Sequence, residues 1–262
     1  MPASHLLLID EALCDLVADR SARILIIEAP PRHGKSEFAS RWFPVWYLGM
    51  FPTHRVFFAA YGATFAEEFG AWARDKYAEC GPEWFGCGVD KAKARADHWK
   101  TTEGGAMYSC GVGGPINGRG ANLFIFDDPI KNAQAAASEA QRSKMWNWYK
   151  STASTRLEPD GKMVIINTRW HVDDMTGMII KAAHEGDSRP VRRITLPAIA
   201  EFNDMAGRKE GEALWPERFP IESLRVKEKE QGPFYWNALY QQRPTSHERA
   251  IFRDHYFDGI MV

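Results

Sequence analysis

One stretch constrains this chain more than any other: Ile24-Leu-Ile-Ile-Glu-Ala-Pro-Pro-Arg-His-Gly-Lys-Ser36, followed by Phe38, Ala39, Trp42 and Phe43. Four successive apolar residues leave no polar face, so this strand needs cover on both sides of a sheet. A tight loop then delivers a glycine, an ammonium and a hydroxyl to the start of a helix. Gly34 lets the backbone approach an anion, and the unpaired N–H groups of the new helix favour negative charge there. Lys35 and Ser36 in this order read as a nucleotide grip, with the ammonium on the β- and γ-phosphates and the hydroxyl on Mg²⁺. Pro31, Arg32, His33, Gly34, Lys35, Ser36 and Glu37 are therefore the candidate ATP-binding residues. Ala29 stands where the usual first glycine of the pattern falls. Arg32 is either a γ-phosphate contact or a solvent-facing loop arginine.

The rest of the chain alternates short apolar runs with longer amphipathic stretches, which predicts an α/β fold: a mostly parallel central sheet with flanking helices. The strands expected are Ile24–Ile27, Arg55–Tyr61, Leu123–Phe126, Met163–Asn167 and Arg193–Leu196. Thr64 with Glu67, and Ser138 with Gln141, read as capping boxes, while Asp173 and Asp174 read as caps of a helix carrying Met175, Met178 and Ile179. Pro220 opens a further helix that Gly232-Pro233 closes. Asp97 to Cys110 reads as a hairpin turning at Gly104-Gly105. Periodicity weakens near Pro197, which divides the chain into a core over 1–197 and an extension over 198–262 packed on it.

A second chemical signal is Leu123-Phe-Ile-Phe-Asp-Asp128, an apolar strand ending in two acids. The carboxyl ends of such strands are where an open α/β sheet presents its ligands. Asp127 is expected to hold Mg²⁺ together with Ser36, and Asp128 to orient the attacking water. Asp is shorter than the Glu often found at the second position by about 1.5 Å. A misplacement of ~1 Å can cost on the order of 10²-fold in rate, so either the local backbone compensates or another acid helps. A helix cap before Pro129 is the alternative.

Composition excludes little. The 262 residues carry a net charge of −1, so no global basic field marks a nucleic-acid binder, although local patches can carry phosphate contacts. The four cysteines (Cys14, Cys80, Cys87, Cys110) are scattered, without metal-cage or disulfide-framework spacing. No apolar run approaches the ~20 residues that span a bilayer, so no membrane partner is expected and an intracellular setting is.

Taken in order, Pro30-Pro-Arg-His-Gly-Lys-Ser-Glu37, Gly118-Arg-Gly120, Phe126-Asp-Asp-Pro129, Asn167-Thr-Arg-Trp-His171 and Tyr240-Gln-Gln-Arg-Pro244 resemble the N-terminal packaging ATPase of the large terminase subunit of tailed bacteriophages. The resemblance implies a P-loop NTPase of the RecA-like type, with an additional strand and a catalytic acid. It implies Mg²⁺-dependent ATP hydrolysis that drives double-stranded DNA into a capsid. By the same resemblance the partners are DNA, the portal protein, the small terminase subunit and further copies in a homo-oligomeric ring, usually a pentamer, in the host cytoplasm and not in the mature virion. Lys35, Ser36, Asp127 and Asp128 take the hydrolytic roles, Asn167, Thr168 and Arg169 the coupling role, and Arg119 that of a finger supplied to a neighbouring subunit. A full terminase continues into a nuclease domain; with no acid cluster of that kind here, nuclease activity is not expected. A P-loop small-molecule kinase and a nucleotide-gated interaction module with little hydrolysis are the competing functions.

Three further groups have weaker claims. His171, Asp173 and Asp174 have metal-ligand composition, but capping explains the acids. Tryptophans at helical spacing suit a core better than base stacking. The clusters Lys91/Lys93/Arg95 and Arg189/Arg192/Arg193 are DNA-phosphate candidates or solvated faces.

Overall fold

A computed structural model of the chain describes residues 3–18, 21–114, 116 and 118–245. In chain order the elements are α1 (Ser4–Ala18), β1 (Ile24–Glu28), a π-helical turn Glu37–Trp42, α2 (Phe43–Met50), β2 (Arg55–Ala60), α3 (Ala63–Phe85) and β3 (Val89–Ala94). There follow β4 (His98–Thr101), β5 (Ala106–Gly111), β6 (Ala121–Asp127), α4 (Ala133–Ala137), α5 (Glu139–Trp148), α6 (Ser154–Arg156), β7 (Leu157–Asn167), α7 (Met175–His184), β8 (Val191–Thr195) and α8 (Ile221–Tyr235). They build one 8-stranded sheet in the order β3-β4-β5-β2-β6-β7-β1-β8. From β5 to β8 every neighbouring pair is parallel, and β4 runs antiparallel between β3 and β5.

Alternation along the apolar strands divides the core into two layers. Leu25, Ile27, Val56, Phe58, Leu123, Ile125, Val164 and Ile166 pack with residues of α1, α2 and α3, such as Leu13, Leu48 and Tyr77. Ile24, Ile26, Phe57, Phe124, Phe126, Met163 and Ile165 face the other way, onto Trp148, Tyr149, Met175 and Ile179. This double cover is what the unbroken apolar runs demand. Residues from Ala198 onward form a smaller cluster of Ala198, Ile199, Ala213, Leu224 and Trp236. Backbone bonds from Ala198 to Tyr240 and from Leu214 to Ala198 close it; residues 246–262 of the expected extension lie outside the described residues. No helix among the described residues is long and apolar enough to cross a membrane.

Three expectations need correction, and one helix was not expected. Thr64 does not cap α3, because the helix begins at Ala63 with Gly62 in the N-cap position and no side-chain bond; Ser138 and Asp174 do cap α5 and α7. β7 starts at Leu157, not Met163. Glu158-Pro-Asp-Gly161 reads locally as a turn, yet pairing with β6 resumes across a register shift. Gly232-Pro233 does not end α8; Gly232 takes φ 69° and kinks it, after which helix continues to Tyr235. α1 was not anticipated, although its buried Leu6, Ile9, Leu13 and Leu16 follow helical spacing.

α3 reaches the sheet closely because Gly70 faces β5. A methyl there would fall on the Ala96 carbonyl and the Ser109 hydroxyl. Gly70→Ala should therefore lower stability by about 1–3 kcal/mol despite its gain in helix propensity. Denaturant unfolding checks this; a variant more stable than wild type would show that the α3–β5 contact is looser than described.

Candidate nucleotide site

The carboxyl ends of β1, β7 and β6 lie side by side. Glu28 is in register with Asn167, and Ile166 with Asp127. The loop after β1, the Asp127-Asp128 pair after β6 and the Thr168-Arg169 segment after β7 consequently meet at one edge of the sheet. Lys35 Nζ donates to Thr168 Oγ1 at 2.8 Å and pairs with Asp128 Oδ2 at 3.4 Å. Ser36 Oγ donates to Asp127 Oδ1 at 3.1 Å, and Ser40 Oγ to the other carboxylate oxygen at 2.7 Å. Asp128 Oδ1 accepts the Thr168 N–H at 2.7 Å.

Asp127 is buried, and this burial, reinforced by the neighbouring Asp128 charge, raises its pKa above the ordinary carboxylate range. A buried carboxylate beside a hydroxyl, both oriented by helix residues, is a donor set that suits Mg²⁺ held mainly by phosphate and water oxygens. No group of three or more His, Cys, Asp or Glu side chains that could hold a metal ion occurs among the described residues.

Asp128 has φ 40°, a backbone region that non-glycine residues seldom occupy. Its N–H donates to the Ile166 carbonyl at 2.9 Å and its carboxylate reaches the Thr168 N–H. The left-handed turn thus aims a short acid at the end of β7, beside Lys35. Local backbone geometry accounts for the placement, with no second acid among these contacts.

Behind the site, Arg169 Nη1 meets Glu28 at 2.7 Å and its Nε meets Asp174 at 2.9 Å, all three side chains being almost wholly buried. Arg193 and Thr195 bond the second Glu28 oxygen. Asn167 donates to Thr176 at 2.9 Å. The phosphate loop itself is held from outside: His5 Nε2 donates to the His33 carbonyl at 3.0 Å, and the His33 ring stacks on Phe219 with centroids 4.5 Å apart. Leu6 sits against Gly34, whose φ is 84°. Ala29, in the place of the usual first glycine, is fully buried.

Of the residues singled out by sequence, Lys35, Ser36, Asp127, Asp128 and Thr168 come together, with Asn167 and Arg169 directly behind. Arg32 is exposed with φ 65°, and Glu37 turns to Arg41. Arg119 does not reach this site: it precedes β6, at the opposite end of the strand from Asp127, and lies 4.6 Å over the Tyr108 ring. His171 Nδ1 accepts the Asp173 N–H, and Asp174 serves both as helix cap and as Arg169 partner. Arg192 and Arg193 are paired with Asp15 and Glu28. Trp99, Trp148 and Trp236 are core residues. Sequence reasoning missed Glu28, Ser40 and the Phe219 contact. An acid closing an apolar strand, and a serine one turn after Ser36, were signals for the first two; nothing local pointed to Phe219.

Comparison with known proteins follows this geometry. Residues 26–238 match the family described as terminase large subunit, T4likevirus-type, N-terminal. The large terminase of bacteriophage HK97 is similar in structure with TM-score 0.57 and 11% identity, covering 89% of this chain and 50% of that one. For the ATPase domain of the Thermus phage P74-26 large terminase the values are 0.56 and 15%, over 85% and 89%. The large terminase of a thermophilic bacteriophage, solved with ATP-gamma-S, gives 0.50 and 14%, over 89% and 51%. At these identities the likeness is one of fold, the RecA-like P-loop fold. The chain spans about half the length of the first and third. No curated protein matches it.

Burial lowers the His33 pKa from 6.5 to about 4. Its neutral Nδ1–H donates to the Pro31 carbonyl at 2.9 Å. The unfolded chain takes up this proton first, so the stability it contributes is complete above about pH 6.5 and is lost as pH falls toward 4. That loss amounts to about 3 kcal/mol. In thermal melts between neutral pH and pH 4.5, His33→Leu should show a distinctly shallower decline than wild type; parallel declines would refute the assignment.

Proposed function

The chain belongs to the family of phage large terminase subunits, as their N-terminal domain, and on that premise we propose that it is a Mg²⁺-dependent ATPase that powers movement of double-stranded DNA into a viral capsid. The observation that carries this reading is the meeting of Lys35 and Ser36 with Asp127, Asp128 and Thr168 at one sheet edge. A similar large terminase has been solved with ATP-gamma-S, which supports ATP as the nucleotide.

In this reading, the N–H groups of Gly34, Lys35 and Ser36 cradle the phosphates and Lys35 moves from Asp128 and Thr168 onto the β- and γ-phosphates. Ser36 and Asp127 hold the cation, with Ser40 fixing the carboxylate. Bound Mg²⁺ supplies charge neutralisation on the phosphate oxygens. Asp128 accepts a hydrogen bond from water and directs it at the γ-phosphorus, in line with the leaving ADP oxygen. Thr168 touches both Lys35 and Asp128, so departure of the γ-phosphate changes its partners. The rigid Arg169–Asp174 link passes that change to α7, a coupling role for Asn167, Thr168 and Arg169.

Arg119 is too far along β6 to serve its own site and is proposed to act on a neighbouring subunit in a ring. That ring, of five copies, would sit on the portal and work with the small subunit in the host cytoplasm. We assign 1–197 to the ATPase core and 198–262 to the extension.

Phosphate release with and without duplex DNA tests the activity. DNA-stimulated turnover is expected, and Asp128→Asn should reduce it by about 10² or more while ATP binding persists. Acceptor-dependent turnover would point to a kinase instead, and tight binding without turnover to an interaction module. Arg119→Ala should bind ATP normally and turn over about 10³-fold or more slowly. Mixing it with Lys35→Ala chains should restore part of the rate in assembled rings; absence of rescue would count against action in trans.

A further inference from the structure

An open groove of about 610 Å³ begins immediately after the catalytic pair, running from Pro129 along α4 and α5 and walled on the far side by Tyr61 and Gly113. Three cations line it, Lys131, Arg142 and Lys144, and no carboxylate does. On a chain with a net charge of −1, the arginines of the other basic clusters are partly neutralised: Arg95 is paired with Asp97, Arg192 with Asp15 and Arg193 with Glu28. Lys131 and Lys144 are exposed and carry no ion pair among the described residues. Arg142 donates through Nη1 to the Ala136 carbonyl, which leaves the rest of its guanidinium for a ligand.

The neutral lining adds hydrogen-bonding groups without charge. Gln134 and Gln141 each present an amide with two N–H donors, while Asn132 is committed as the cap of α4. Trp148, at the groove's base, is anchored by its indole N–H to the Gly114 carbonyl at 3.1 Å. The wall is therefore rigid, donor-rich and positive. It is open, where a site for a small anion would be closed. Those are the properties of a surface that follows a phosphodiester backbone.

We propose that this groove is where the phosphate backbone of double-stranded DNA lies against the chain; the proposal rests on the packaging-ATPase reading. Its position supplies a link to hydrolysis. Pro129 directly follows Asp128, whose left-handed backbone is fixed by contacts to Ile166 and Thr168. Rearrangement of those contacts moves Pro129 and Lys131 with the acid, so nucleotide state and grip on DNA change together.

The test uses Lys131→Ala/Lys144→Ala, which removes two exposed charges outside the hydrolytic machinery. Binding of a short fluorescein-labelled duplex is followed by anisotropy over a salt series, beside basal and DNA-stimulated phosphate release. The expected result is unchanged basal turnover, duplex affinity lower by about tenfold or more, and a log–log salt slope shallower by about two. Lys91→Ala/Lys93→Ala, at the exposed β3 edge, removes the same charge elsewhere and should leave affinity near wild type. Equal losses in both pairs would mean general electrostatics and overturn the groove, as would wild-type affinity and slope in the first pair. If wild type itself neither hydrolyses ATP nor binds duplex, the packaging reading falls and the groove proposal with it; a wild type active on both counts with an unaffected groove variant removes only the latter.

Discussion

Glu28 has no access to solvent, yet it closes the strand that feeds the phosphate loop. A carboxylate in that position is tolerable only with cations in contact, and Arg169 supplies one from just beyond β7 and Arg193 another from within β8. Arg169 in turn binds Asp174, the cap of α7. One buried charge therefore ties four pieces of chain to a single point behind the site. Breaking such a network by removing one member costs about 3–5 kcal/mol, because the remaining charge stays buried and unpaired. Its geometry is accordingly specified more sharply than apolar packing alone would achieve.

With that point fixed, the groups of the candidate nucleotide site follow. Register between β1, β7 and β6 places Glu28 beside Asn167 and Asp127 beside Ile166, one residue earlier, so the residues just beyond them converge. Thr168 bridges Lys35 and Asp128, and it is held by its covalent neighbour Arg169 in the buried network. The groups proposed to hydrolyse the nucleotide and the element proposed to sense them thus share one support. On the other side, His5, Leu6 and Phe219 press the phosphate loop from α1 and from the chain beyond Pro197. The loop is consequently clamped between the first helix and the last third of the protein, segments with no phosphate chemistry of their own.

Much of this was legible in sequence where the signal is local. ILII and LFIF, apolar on every residue, required a doubly covered parallel sheet, and the chain folds into one. Gly34-Lys35-Ser36 after one such strand and Asp127-Asp128 after another marked the two halves of the site. Where the reading failed, longer-range contacts set the outcome: pairing of Leu157 with Ala121 starts β7 ahead of the Pro159-Asp-Gly161 turn signal, which is taken up in the register shift, and the Gly232-Pro233 stop became a kink.

What the sequence determined by itself was the class of fold and which side chains gather at the candidate site, because apolar periodicity and the Gly-Lys-Ser and Asp-Asp patterns act over a few residues. Only the tertiary structure decided that the carboxylate of Asp128 reaches Lys35 through a left-handed backbone turn, that Glu28 is the hub of the buried charges, and that Arg119 stands away from its own nucleotide site. Each of those depends on contacts between residues tens of positions apart or more, and on strand register, for which no short stretch of chain carries the information.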